Sequence, residues 1–453
     1  MDEGLPVAEA LFWKKLLIRS GIAKLLPSVR RRLGGGERFL RYYSDRVLSA
    51  PLEELLDDAL FPDVQAPDAI NLALGAPRCD LPLGALRGVN DRRALSVWGV
   101  PELRQEIAEQ FKLDHGPAVD PADQVLVTHG AAGAFTVALD TFINPRARVA
   151  LFDPTSPIYR IGLKHRRATI VWVPTWVEAG KVRFAMDAFG KAMRGARMLV
   201  LCDPANPTGA VFAGEDLEQI AFWAQKLNVL IYQDESFGRY RYEDDGVRLA
   251  GLPHAENRVI TAGSVSKTFG LSAARVGWLA GCKHLIRPCA VTAALNAPFV
   301  SPLCQQLALT ALRSGDARAA ALRDEFAGRR RYVFERLQSV GLEPALPAGA
   351  FFFWVPVEPL GLSGREFARQ LLAAKRVLVN PGEPFGPSGR YYVRLSYAAE
   401  DGRLREGLTR LVEFVEGIKK DRPQINADKR RSDEIENQPD SLPDPRSSTS
   451  IRG

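Results

Sequence analysis

The segment Ser264-Val-Ser-Lys-Thr-Phe-Gly-Leu-Ser-Ala-Ala-Arg275 follows the apolar run Val259 to Thr261, which sets Lys267 just past the end of an expected buried strand. A lysine there loses part of its hydration, which lowers its pKa and leaves a neutral, nucleophilic amine at physiological pH. Such an amine condenses with an aldehyde to give an imine. Arg275, eight residues on, supplies a fixed cation, and the hydroxyls of Ser264 and Ser266 sit in the same turn. Together they suit a dianionic phosphate carried by that aldehyde. Taken alone, Ser-x-Ser-Lys also fits a surface lysine beside a helix, so other segments have to decide.

Val127-Thr-His-Gly-Ala131-Ala132-Gly-Ala134 is a strand running into a small-residue turn and then a helix. Small residues let backbone N–H groups approach a phosphate, and a helix N-terminus adds partial positive charge. Glycine-rich strand-to-helix turns are common, so this signal is weak by itself. In Asp203-Pro-Ala-Asn206-Pro-Thr-Gly209 the asparagine is held at a turn where its amide can donate to an aromatic hydroxyl. Asp234, 28 residues further on, ends the run Val-Leu-Ile-Tyr-Gln-Asp. A carboxylate at the end of a buried strand is costly unless a cation pairs with it, and a protonated pyridine nitrogen is such a cation. The bland alternative for Asp234 is a helix N-cap. Arg394, inside the apolar string Tyr391-Tyr-Val-Arg-Leu-Ser-Tyr, needs an anion, either an internal acid or a substrate carboxylate that its planar fork matches. Pro381-Gly-Glu-Pro-Phe-Gly386 reads as a turn beside it.

The elements that must position these groups follow from the apolar pattern. Between Asn71 and Arg422 short β-rich runs alternate with helical stretches, the pattern of an α/β protein with a mainly parallel sheet. Strands are expected at Gln124–Thr128, Arg148–Asp153, Thr169–Pro174, Met198–Asp203, Val229–Gln233, Val259–Gly263 and Gly277–Ala280. Several are near-continuous apolar runs, which fits strands covered on both faces. A long helix from Arg318 to Ser339 then leads into a smaller α+β region.

The chain has 453 residues and a formal charge of +7, with 46% hydrophobic and 25% charged residues, an ordinary globular composition. Residues 1 to 48 hold ten basic and five acidic side chains, 10 − 5 = +5, so most of the excess lies in the leader. Leu11 to Leu26 has apolar residues at helical spacing with Lys and Arg between them, and Arg30, Arg31 and Arg32 follow. This is read as an arm packed on its own protein or on a partner copy, with membrane contact as the alternative. No nucleic-acid partner is expected. Cys79, Cys202, Cys282, Cys289 and Cys304 are scattered, with no metal-ligand spacing, and neither a disulfide framework nor a metal is expected. No apolar stretch approaches 18 residues and no signal peptide is recognisable, so the expected compartment is the cytoplasm.

Taken together, the small-residue turn, Asn-Pro-Thr-Gly, Asp-Glu, Ser-x-Ser-Lys with Arg275, and the late Arg-Leu-Ser resemble the class I/II aminotransferases over Asn71 to Gly417. The resemblance implies a fold-type-I α/β architecture: a large domain with a mainly parallel seven-stranded sheet plus a smaller α+β domain. It also implies pyridoxal 5′-phosphate as cofactor, bound by Lys267 as a Schiff base. Asp234 would pair with the ring nitrogen and Asn206 with the ring hydroxyl oxygen, while Ala131, Ala132, Ser264, Ser266 and Arg275 would surround the phosphate. Arg394 would hold the substrate α-carboxylate, and Gly75 would line the substrate pocket.

The chain departs from the family's pattern at three places: Ser156 stands where an aromatic usually stacks on the cofactor, Phe237 where a tyrosine is usual, and Trp98 near the position of another tyrosine. The activity implied is amino-group transfer between an L-amino acid and a 2-oxo acid, in a homodimer. The alternatives are a pyridoxal-phosphate lyase, decarboxylase, cyclase or oxidase, motivated by Ser156 and Phe237, and a non-catalytic regulator using the basic arm. The expected layout is a basic arm over 1–70, a large cofactor domain over 71–310, a small C-terminal domain with part of the N-terminal segment over 311–420, and a disordered tail over 421–453.

Overall fold

The computed structural model describes residues 68–73, 96–243, 246–314 and 316–421. The basic arm, Gly75 and the tail beyond residue 421 lie outside the described residues. In chain order the elements are β1 (Ile70–Asn71), α1 (Pro101–His115), β2 (Val125–Thr128), α2 (Gly130–Phe142), β3 (Arg148–Asp153), α3 (Pro157–His165), β4 (Thr169–Glu178) and β5 (Lys181–Phe184). Then come α4 (Met186–Met193), β6 (Met198–Cys202), β7 (Val211–Phe212), α5 (Gly214–Leu227), β8 (Leu230–Asp234), β9 (Val259–Ser264), α6 (Val265–Thr268) and β10 (Gly277–Gly281). The C-terminal part holds α7 (Lys283–Asn296), α8 (Pro302–Ser314), α9 (Asp316–Gln338), β11 (Phe352–Pro356), α10 (Gly364–Lys375), β12 (Val377–Leu378), β13 (Asn380–Pro381), β14 (Tyr392–Ser396) and α11 (Asp401–Asp421).

The large sheet has the order β2-β10-β9-β8-β6-β3-β4-β5-β7. All seven expected strands are present within a few residues of their expected ends, and the short β5 and β7 extend one edge. Strands β9, β8, β6, β3 and β4 are mutually parallel, whereas β10 runs antiparallel to both β2 and β9. The protein is thus α/β with a mainly parallel sheet.

Continuous apolar strands occur because successive side chains serve opposite faces. In β3, Val149 and Leu151 join the cluster that holds Phe135 of α2, whereas Ala150 and Phe152 join the cluster that holds Phe189 of α4 and Ile220 of α5. A third cluster packs α1 and α8 against Val125 and Val127 of β2. Local signals agree with these boundaries. Pro101 opens α1, Asn228 ends α5 in the left-handed conformation, and Ser363 with Glu366 closes a capping box at the start of α10.

A separate antiparallel sheet, β11-β14-β13, carries Arg394 on its central strand, paired across to Trp354 and Asn380. Its apolar residues Phe353, Val355, Val393 and Leu395 belong to the same cluster as Leu126 and Leu151 of the large sheet. Among the described residues no helix is long and apolar enough to cross a membrane.

Candidate active site

The strands of the large sheet deliver their functional groups at one edge. Asp234 is the last residue of β8, Lys267 sits on α6 directly after β9, and Asn206 lies in the turn after β6. Ser264 caps α6: its Oγ accepts the Ser266 N–H at 3.0 Å and lies 2.9 Å from the Ser266 Oγ and 3.1 Å from the Val276 carbonyl. The Tyr240 hydroxyl donates to the Lys267 carbonyl at 2.9 Å and pins the lysine-bearing turn from behind.

Burial is the main reason that the Lys267 ammonium falls from 10.5 to about 8, and the Arg394 and Arg275 cations push it the same way. Asp234 opposes them. A neutral amine is therefore present in quantity near pH 8, as the sequence argument requires. The three charged groups that act on Lys267 come from β8, the turn before β10, and β14.

Asp234 is buried, and burial raises its carboxyl above the usual range. Three donors pull it back: the Ser236 hydroxyl, the Ser236 N–H at 2.8 Å to one oxygen, and the Tyr159 hydroxyl at 2.7 Å to the other. Tyr159 comes from the first turns of α3 and is 2% exposed, so its ring packs edge-on to Phe135 and its hydroxyl serves Asp234. Ser156, three residues earlier, is the N-cap position of α3.

Helix α2 starts at Gly130 with no side-chain cap, so the first-turn N–H groups, including those of Ala131 and Ala132, keep their donors. Gly130 has φ +72, and a Cβ there would stand 2.7 Å from the Arg275 guanidinium. The positive φ favours glycine here, and the missing side chain lets Arg275 lie against this helix end without shifting. Gly277 of β10 is held as closely, since its Cβ would meet the Ala131 nitrogen at 2.8 Å.

Arg394 is the most telling group. Its guanidinium donates to Asn206 Oδ1 at 2.9 Å, to the Ala73 carbonyl at 2.8 Å and to Asn380 Oδ1 at 2.6 Å, and lies over the rings of Phe352 and Phe385. Burial lowers it to about 9, and its Nε has no hydrogen-bond partner. Among the described residues no carboxylate pairs with it. A buried cation held by neutral amides and aromatic faces is built to receive an anion. Asn206 turns its oxygen to Arg394, which leaves its NH2 group to donate elsewhere.

Phe237 packs edge-on to Phe351 and Phe352 and carries no hydroxyl to the site. The Asn206 turn is anchored from below by the buried pair Arg241 and Asp203, whose nitrogen and oxygen are 2.5 Å apart. Trp98 is half-buried, and its carbonyl accepts the Val127 N–H at 3.1 Å. Sequence reasoning did not find Tyr240, Asn380 or the use of Tyr159. Asn380 had a usable signal, a polar side chain within the apolar run Val-Leu-Val-Asn.

A strand-end amine of lowered basicity, a buried acid, an open helix end with an arginine, and an unneutralised guanidinium define an α/β protein that handles carbonyl and amino groups on small anionic molecules. Residues 68–411 match the family described as aminotransferase class I and II. The chain belongs to that family and is an aminotransferase.

It is 30% identical to an aspartate aminotransferase of Pyrococcus abyssi over 358 residues, 77% of this chain and 92% of that protein. An aromatic-amino-acid aminotransferase of Thermococcus litoralis is 33% identical over 323 residues, 70% of this chain and 82% of that one. Among solved structures, an aromatic aminotransferase from Pyrococcus horikoshii superimposes with a TM-score of 0.72 at 30% identity, covering 78% of this chain and 97% of that one.

Proposed function

We propose that this aminotransferase holds pyridoxal 5′-phosphate on Lys267 and passes an amino group from an L-amino acid to a 2-oxo acid whose carboxylates are held in turn by Arg394. The observation that carries this reading is the Lys267 amine, lowered to about 8 and flanked by Arg394, Arg275 and Asp234. The residues present fit the cofactor. Asp234 is a buried acid whose hydrogen bonds come from an N–H and two hydroxyls, with no cation among them, which suits a cationic ring nitrogen as a further partner. The N–H groups of Ala131 and Ala132, the Arg275 fork and the hydroxyls of Ser264 and Ser266 suit the phosphate.

When bound, the cofactor supplies an aldehyde that takes up the amino group and a ring that draws electrons from the substrate. Asp234 keeps a proton on the ring nitrogen, and Tyr159 and Ser236 hold Asp234 in place. Asn206 offers its NH2 to the ring oxygen and its Oδ1 to Arg394, tying the cofactor subsite to the carboxylate subsite. Arg394 orients the substrate through its carboxylate, and the Lys267 amine takes the proton from the substrate Cα. Gly75, outside the described residues, is assigned to the substrate pocket on its place in the run Ile70-Asn-Leu-Ala-Leu-Gly75 alone.

We further propose a homodimer. Val291, Leu295, Phe299 and Leu303 are 65, 82, 46 and 42% exposed on α7, the connection after it and α8. Such an apolar patch is suited to a partner copy. The division into a cofactor domain over 71–310 and a C-terminal domain over 311–420 with part of the N-terminal segment is supported by the separate nine-stranded and three-stranded sheets and by the pairing of β1 with β12. We also propose a cytoplasmic location, which cell fractionation would check.

The decisive experiment is borohydride treatment of the cofactor-loaded protein followed by peptide mass mapping. The expected result is a reduced adduct on Lys267 and, in a separate half-reaction, a spectral change with at least one amino acid. An unmodified Lys267 overturns the assignment.

A further inference from the structure

The connection from β13 to β14 does more than return the chain. Residues Pro384 to Ser388 leave the small sheet and lie on the turn between β3 and α3. The Thr155 N–H donates to the Phe385 carbonyl at 2.8 Å, and Arg160 donates to the Pro384 carbonyl at 3.3 Å. At the far end the Asp153 carboxylate accepts the Ser388 hydroxyl at 2.9 Å and the Ser388 N–H at 3.1 Å. Between them Gly386, at φ +147, crosses directly over Asp153, where a Cβ would fall 2.1 Å from Oδ1. The Phe385 ring in the middle of this strap is 2% exposed, packs edge-on to Trp354, and lies 5.0 Å beneath the Arg394 guanidinium.

We propose that Asp153 and Ser388 are positioning residues: they tie the strap Pro384–Ser388 to the end of β3, and the strap, through Phe385, fixes the height of the Arg394 clamp over the cofactor edge of the large sheet. Asp153 lies at the end of a strand of the large sheet, on the same edge as Asp234 and Lys267. Arg394 belongs to the other sheet, so its distance from Lys267 is set by whatever joins the two. The carboxylate is buried while Ser388 is exposed, which places the join at the rim of the molecule. It acts on the carboxylate that every substrate carries, not on the side chain. This inference rests on the reading of Arg394 as the carboxylate clamp.

The test uses the cofactor-loaded full chain with Ser388→Ala, Ser388→Thr, Asp153→Asn, Gly386→Ala and, as a control on the clamp, Arg394→Gln. Steady-state constants are measured for one amino acid and two 2-oxo acids, with propionate as a competing plain carboxylate. Loss of one hydrogen bond to an ionised group is worth about tenfold. Ser388→Ala is expected to raise every KM and the propionate inhibition constant by about that factor. Its kcat should stay within about twofold, and its thermal midpoint should fall by no more than a few degrees, since Asp153 loses one donor but keeps the Ser388 N–H.

Ser388→Thr, which keeps the hydroxyl, restores the wild-type constants, and Gly386→Ala gives a larger rise. If Ser388→Ala and Asp153→Asn leave KM unchanged while Arg394→Gln raises it, the strap has no positioning role and the clamp stands. If Arg394→Gln itself leaves the propionate constant unchanged, the clamp is wrong and the strap falls with it. A rise in KM for one substrate alone, or a fall in kcat without one in affinity, also overturns the proposal.

Discussion

Replacing Lys267 with methionine should make the cofactor-free protein more stable at neutral pH. The Lys267 ammonium is held at about 8 against an ordinary 10.5, mainly by burial. At about 1.36 kcal/mol per pH unit, that gap corresponds to about 3 kcal/mol of cost for keeping the folded lysine charged. Part of the side chain still reaches solvent, and screening trims the figure to about 2 kcal/mol.

The sign follows from linkage. Below about pH 8 the lysine is protonated in both the folded and unfolded chains, so the full cost is present. Between about 8 and 10.5 the folded lysine loses its proton first, and stability rises with pH until the cost is gone. Lys267→Met, similar in length and uncharged, should therefore gain about 2 kcal/mol in urea unfolding at pH 7 and almost nothing at pH 10.5. A variant no more stable than wild type at pH 7, or one with the same gain at both pH values, would refute the desolvation argument on which the role of the amine depends.

Three further outcomes follow. Tyr159→Phe removes one of three donors to the buried Asp234, which should raise that carboxyl further and weaken retention of the cofactor by about 1.5 to 3 kcal/mol in equilibrium dialysis, with little change in the helix signal. Gly130→Ala puts a methyl 2.7 Å from the Arg275 guanidinium at φ +72, so phosphate affinity should drop at least tenfold and unfolding should cost about 1 kcal/mol less. Phe237→Tyr adds a donor beside the ring oxygen, and the visible absorbance transition of the loaded protein should move to lower pH; a transition that stays put or rises would show that the hydroxyl does not reach the site.

Much of the site was legible because it is carried by strand ends. A run of apolar residues that stops at a charged or hydroxyl side chain, as at Asp234 and Ser264, announces both the strand and the group it presents. Arg275 was legible for a related reason, since its place in the turn before β10 is set locally. Tyr159 and Tyr240 were not, because their hydroxyls find partners 75 and 27 residues away, Asp234 and the Lys267 carbonyl, and nothing in the local pattern marks those pairings. The edge strands β5 and β7 have four and two residues, too few to show a period against the background. Asp153 read as an ordinary strand end, and its tie to Ser388 spans 235 positions.

The groups proposed to surround the cofactor arise from neighbouring strands and turns of one sheet, whereas the guanidinium proposed to grip the reactant is borne by another. The grip on the carboxylate can thus be altered from the second layer, with Asn206 as its direct link to the first. Relatives named for aspartate and for aromatic amino acids share this scaffold, as such modularity would allow. For an engineer, changes around Phe385 would tune how tightly that shared carboxylate is held, whichever side chain the molecule carries.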